Sequence, residues 1–182
     1  MSTTPRTNRG PAAAAQNRAA LIRAASEIFA EQGLAAPYSA IAKRAGVGQG
    51  SLYRNFPTRQ SLAFAAFDSN LAQIEAVVSR GGTLADVLTM VSEQAAASAA
   101  FIELIAQHPD DPHAALLRAR LVAVVEATVE DGRTSGTVQP GWSSDDVIVA
   151  IQLIAGGASV ALAPDRAALV RRGWELMGIR LD

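Results

Sequence analysis

The sequence predicts an all-α protein, with three N-terminal helices ahead of a C-terminal helical bundle and about nine helices in all. Three observations lead there. Apolar residues recur at helical spacing through most of the chain. No segment sustains the apolar–polar alternation of a strand together with β-branched enrichment. Glycine or proline punctuates the periodic segments at intervals that suit helices.

Residues 1–15 mix Pro, Gly, Thr and Ala without apolar periodicity and read as a flexible tail. From Gln16, a first helix carries Leu21, Ile22, Ala25, Ile28 and Phe29 on one stripe and stops at Gly33. A second runs from Ser39 to Ala45, with Ile41, Ala42 and Ala45 inward and Gly46 as its stop. A third spans Gly48 to Phe56, anchored by Leu52 and Phe56. Pro57 ends it and Thr58 caps a long fourth helix reaching Arg80, with Leu62, Ala66, Phe67, Leu71, Ile74 and Val78 as its stripe. At about 1.5 Å per residue such a helix links two parts of a molecule.

Gly81–Gly82 breaks the fourth helix, and Thr83 with Asp86 forms a capping pair for the next. An alanine-rich stretch then leads into residues 101–107, as one bent helix or two. Asp111–Pro112 opens a helix whose apolar face is Leu116, Leu117, Leu121, Val124, Val125 and Thr128, continuing until Gly132. Residues 133–142 form a loop. Ser143 with Asp146 opens a further apolar helix ending near Ala163, and Pro164 opens the last, which closes around Gly178.

Composition narrows the functional classes. With no cysteine, disulfides and thiolate chemistry are excluded, which fits a cytoplasmic protein. There is no run of about 18 apolar residues to span a membrane, and the N-terminus lacks the apolar stretch of a secretory signal. The net charge of −1 conceals a split: residues 1–60 hold eight Lys/Arg against two Glu (+6), and the remainder eight against fifteen Asp/Glu (−7). A basic head on an acidic body suits an anionic polymer.

Within that head, "SAIAKRAGVGQGSLYRNF" sets two short helices around a glycine turn, a helix-turn-helix candidate. With Leu52 and Phe56 inward, Gln49, Ser51, Arg54 and Asn55 project outward, and these side chains hydrogen-bond base edges and phosphates. Tyr53 can offer its hydroxyl to a phosphate, and Arg59 adds a cation in the following turn. A helical hairpin with a merely solvated polar face fits the same spacing.

The stretch Ile41–Leu62, "IAKRAGVGQGSLYRNFPTRQSL", together with "IFAEQG" at Ile28–Gly33, closely resembles the TetR family of bacterial transcriptional regulators over residues 16–67. The resemblance implies a helix-turn-helix DNA-binding domain over 16–62 and a helical effector-binding and dimerisation domain over 63–182. The implied function is that of a sequence-specific regulator, a ligand-released repressor acting as a homodimer on a palindromic double-stranded DNA operator. By position, Gln49 and Ser51 stand where the family contacts bases or nearby phosphates, and Tyr53 at its phosphate-contacting tyrosine. Asn55 replaces a frequent histidine, Arg59 stands for a phosphate-clamping lysine, and Arg54 can reach base or backbone. Two departures stand out. Gly48–Gln49 replaces the usual Ser-Lys, removing a cap and a charge. Pro37 replaces a threonine, so that its phosphate contact is lost or passes to Ser39.

For the body, the resemblance implies an effector pocket with Phe67, Leu71, Met90, Phe101, Leu104, Leu117 and Leu121 as candidate lining, though an apolar stripe also serves as plain core. The scarcity of charge on these helices favours an uncharged or apolar effector. The last two helices are expected to pair subunits through Ile148, Ile151, Ala155, Val170 and Trp174, or else to pack the subunit's own core. No cofactor or membrane partner is expected. The cluster "HPDDPH" (His108–His113) matches no zinc signature and reads as a solvated loop. No nucleophile–base pair or phosphate-cradling loop suggests an enzyme. The rival reading is a ligand-binding bundle with weak or lost DNA binding.

Overall fold

The computed structural model describes residues 10–94, 100, 104, 108, 110–161 and 163–181. Eight helices and no strand occur among the described residues: α1 (Gly10–Gln32), α2 (Tyr38–Ala45), α3 (Gln49–Asn55), α4 (Arg59–Ser79), α5 (Leu84–Glu93), α6 (Pro112–Ser135), α7 (Ser144–Val160) and α8 (Ala163–Leu176). The all-helical reading holds.

Local chemistry sets the boundaries. Thr58, Thr83 and Ser143 each form a reciprocal capping box with the residue three positions on, Ser61, Asp86 and Asp146. The carboxyls of Asp86 and Asp146 are held below their usual range by these bonds to Thr83 and Ser143. Asp111 caps α6 by accepting the His113 amide at 2.8 Å, with Pro112 in the first turn. Gly46 ends α2 in the left-handed region (φ 68°), where its amide reaches the Ala42 and Lys43 carbonyls.

Two boundaries and one buried-face assignment differ from the sequence reading. Helix α1 starts at Gly10, inside the stretch read as a tail, because Ala12–Ala15 are good helix formers that simply lack an apolar stripe. Helix α6 does not stop at Gly132 but runs to Ser135, with Gly136 (φ 78°) at its end. Gly132 serves instead as a point of close approach: a Cβ there would lie 2.2 Å from Leu84 Cδ2 at the start of α5. Leu116, read as part of the apolar face of α6, is exposed.

The interior falls into two apolar clusters. The first joins α1–α3 and the N-terminal half of α4 (Leu62 to Leu71) with Ala100, Leu104, Ala114 and Leu117. The second joins Ile74 to α5, the C-terminal half of α6, α7 and α8. Helices α4 and α6 therefore each belong to both clusters. Arg120 of α6 fastens the two helices, donating to Glu75 Oε1 and Oε2 at 2.7 Å and also to Asp68. At the other end, Gln60 donates to Asp111 at 2.8 Å and Phe64 stacks on His113 with centroids 5.7 Å apart. Arg166 of α8 reaches back to the Ala158 carbonyl at 3.0 Å and the Ala30 carbonyl of α1 at 3.3 Å.

Candidate nucleic-acid interface and effector cavity

Helix α3 has seven residues, of which only Leu52 is buried; Phe56 follows as a buried C-cap. The other side chains of the helix are exposed or half-buried. Gln49 and Arg54 are exposed, Tyr53 is 53% exposed, and Ser51 and Asn55 are half-buried. Arg54 donates to Ser51 Oγ at 3.1 Å and Asn55 to the Ser51 carbonyl at 2.8 Å, so Ser51 gathers the polar side chains of one face. Ser39 is exposed in the first turn of α2.

The two departures noted in the sequence have structural counterparts. Pro37 and Gly48 occupy the N-cap positions of α2 and α3, and neither supplies a side-chain cap.

Arg59 behaves differently from its sequence reading. It does not project as an unengaged cation. Its guanidinium donates to the carbonyls of Leu34, at 2.7 Å, and Ala36, and lies over the Tyr38 ring. The Tyr38 ring in turn meets Tyr53 at 5.3 Å between centroids. Tyr38, which sequence reasoning passed over, thus sits between the recognition helix and the start of α4. Its hydroxyl is buried without a hydrogen-bond partner, and burial raises its pKa.

The positive charge of this region is partly spent internally. Arg44 pairs with Glu27 and Glu31, each at 2.9 Å, and the Arg44 hydrogen bond holds the Glu31 carboxyl below its usual range. Arg18 lies 4.5 Å over the Phe56 ring. With both acids of the head neutralised by one arginine, Arg18, Arg23, Lys43, Arg54 and Arg59 are exposed cations without a carboxylate partner among the described residues.

In the body, a cavity of about 400 Å³ opens between α4, α5, α6 and α7. Phe67, Leu71, Leu117 and Leu121 line it as expected. Met90 is half-buried in the second cluster and Leu104 is buried in the first, and neither lines the cavity; Phe101 lies outside the described residues. Sequence reasoning missed Asn70, Gln94, Arg118 and Gln152 in the lining, because polar residues do not mark an apolar stripe.

The expected pairing residues turn out to be internal. Ile151, Ala155, Val170 and Trp174 are buried in the subunit's own core, Trp174 donating from Nε1 to Ser92 Oγ at 2.7 Å, and Ile148 lines the cavity. The surface of the same two helices carries Val149, Leu153, Leu169 and Leu176, from 38% to 72% exposed. Val149, Gln152, Leu153 and Gly156 follow helical spacing opposite the buried stripe, a signal legible in the sequence as a second, narrower periodicity.

No helix among the described residues is long and apolar enough to cross a membrane, and no group of three or more His, Asp or Glu suited to a metal ion occurs among them.

Residues 21–66 match the family described as bacterial regulatory proteins, tetR family. No curated protein matches the sequence. Among solved structures, the chain is similar to a TetR transcriptional regulator from Streptomyces coelicolor, at 29% identity and TM-score 0.59 over 88% of this chain and 95% of that one. It is also similar to a TetR transcription regulatory protein from Mycobacterium vanbaalenii, at 27% identity and TM-score 0.60 over 93% and 98%. A γ-butyrolactone receptor shares the fold at 19% identity and TM-score 0.57, over 91% and 87%. The helix-turn-helix signature on α2–α3 is thus that of the tetR family, and the chain is similar in fold to TetR transcriptional regulators along nearly its whole length.

Proposed function

We propose that the protein is an effector-released repressor that binds a palindromic operator as a homodimer in the cytoplasm. The observation that carries this reading is α3, a helix whose buried anchors are Leu52 and Phe56 and which otherwise presents mostly polar groups outward. Gln49, Ser51 and Arg54 read or approach bases, while Ser39, Tyr53 and Asn55 hold the backbone. Arg59 positions the assembly through Tyr38. The reading head comprises residues 16–62 and the effector and pairing body 63–182.

Pairing is assigned to a second copy of this chain against Val149, Leu153, Leu169 and Leu176, the exposed apolar side chains of α7 and α8. One helix-turn-helix reads too little sequence, and a dimer places two readers about 34–36 Å apart. The cavity takes an effector. Phe67, Leu71 and Ile74 of α4 line it, while Leu62 and Ala63 of the same helix pack the head. An occupant that favours one tilt of α4 changes operator affinity by its differential affinity for the two states. Arg59, the first residue of α4, carries that tilt to the turn before α2.

The uncapped starts of α2 and α3 favour a second reading, a ligand-binding bundle with weakened DNA binding. Selection of bound duplexes from a random pool, followed by titration of affinity against salt, separates the two. A palindromic site with a steep negative salt slope, weakened about tenfold or more by Arg54→Ala, supports the repressor. Weak binding indifferent to sequence, and untouched by Arg54→Ala, sinks it in favour of the bundle.

A further inference from the structure

The effector cavity is not uniformly apolar. Its described lining contains Asn70, Gln94, Arg118 and Gln152 among aliphatic side chains and a single aromatic, Phe67. Arg118 is the only ionisable group of that set. It takes part in no ion pair among the described residues. Two positions further along the same helix, Arg120 is fully occupied by Glu75 and Asp68. Leu117, Arg118, Leu121 and Val122 share one face of α6, so the cation belongs to the cavity side of the helix and not to the ion-paired side.

Arg118 is exposed, which places its charge at the mouth and spares the empty cavity a buried charge. The remaining polar groups complement it. Asn70 uses its side-chain oxygen to accept from Ser26 Oγ at 3.3 Å, which leaves its N–H groups as donors. Gln94 and Gln152 bring further amide donors. A guanidinium fork and amide donors lining one cavity match a group that only accepts, and a carboxylate pairs with a guanidinium bidentately. The aliphatic walls take an aliphatic body.

We propose that the effector is an aliphatic monoanion, whose carboxylate pairs with Arg118 while its chain fills the cavity between α4 and α7. This rests on the reading of the cavity as the effector site, and it departs from the uncharged effector expected from sequence, because one unpaired arginine outweighs the general scarcity of charge.

The test is calorimetric titration of the full chain with decanoate and with decanol, a pair that differs only in the head group. Wild type should bind decanoate about tenfold more tightly than decanol. Arg118→Met, which keeps the apolar stem, should erase that preference and leave decanol unchanged. Ile148→Trp, which fills the cavity, should abolish both. Equal binding of the two probes by wild type, or a preference that survives Arg118→Met, overturns the proposal while the cavity stands. Failure of both probes also overturns it; Nile red, a neutral apolar dye, then reports on the cavity itself. Dye binding lost in Ile148→Trp keeps the effector site, and no dye binding removes that reading too.

Discussion

The Arg59 guanidinium carbon lies 5.1 Å from the centre of the Tyr38 ring, and the same side chain donates to the Leu34 and Ala36 carbonyls in the turn before α2. A residue that stands where the family places a phosphate clamp is therefore built into the joint between α1, α2 and α4. Arg59→Ala should cost about 1–2 kcal/mol of stability, for the lost hydrogen bonds and the carbonyls left without partners. For a chain of this size that corresponds to about 2–8 °C in Tm. A phosphate contact would instead show in the salt dependence of operator binding, whose slope falls by about one for each contact removed. The expected result is a lowered Tm with an unchanged salt slope; an unchanged Tm with a flatter slope would return Arg59 to the phosphate.

Leu153 and Trp174 separate pairing from packing. Leu153 is 60% exposed and Trp174 only 2%. Leu153→Arg should convert the proposed dimer to monomer in sedimentation equilibrium while the isolated subunit keeps its helical content. Trp174→Ala should lower stability by about 3–5 kcal/mol, the usual cost of emptying an aromatic site in a core. Dimers that survive Leu153→Arg would place the pairing surface elsewhere.

Gly132→Ala gives a sign that propensity alone gets wrong. In an open helix interior the substitution stabilises by about 1 kcal/mol. Here the new methyl would lie 2.2 Å from Leu84 Cδ2 and 3.0 Å from Leu84 Cβ, and Leu84 is fully buried. A loss of about 1–3 kcal/mol in chemical denaturation is expected. The double variant Gly132→Ala with Leu84→Ala should lose less than the sum of the two single changes, because the shortened side chain admits the methyl.

The α4–α6 clamp has a pH signature. Hydrogen bonding to Arg120 holds the Glu75 carboxyl below its usual range. Folding thus favours the ionised form, so the contribution is complete above the unfolded glutamate pKa of about 4.3 and is lost as pH falls through the lower folded value. Thermal melts from pH 7 down to pH 3 should show Tm falling below about pH 4.5. In Glu75→Gln the curve should start lower and descend less steeply over that range. Because Glu75 is partly exposed, the effect is expected to be small, within about 1 kcal/mol.

The sequence was most legible where a single local cause decides. The capping boxes at Thr58, Thr83 and Ser143, the Asp111–Pro112 start of α6 and the Leu52–Phe56 anchor of α3 all follow from residues within four positions of one another. It was least legible where the deciding partner is distant. Gly132 reads as a stop because the sequence does not reveal Leu84 packed against it. Trp174 reads as an interface anchor because its partner Ser92 lies on another helix. Apolar periodicity marks a face that will be covered, but not whether the subunit itself or another molecule covers it; Ile151 and Val170 therefore read equally as pairing or core residues, and Leu153 does not stand out. Arg59 illustrates the same limit for charge, since position in a motif fixes where a side chain starts and not which oxygen it finds.

The sparse anchoring of α3 bears on how such a protein changes its target over evolutionary time. Most stability costs of mutation come from buried groups, and in this helix burial is confined to Leu52, with Phe56 just beyond. Gln49, Gly50 and Arg54 can be exchanged almost without charge to the fold. On the proposed reading, new operator preferences are reachable by single steps that leave the scaffold intact, and target recognition changes independently of the effector cavity.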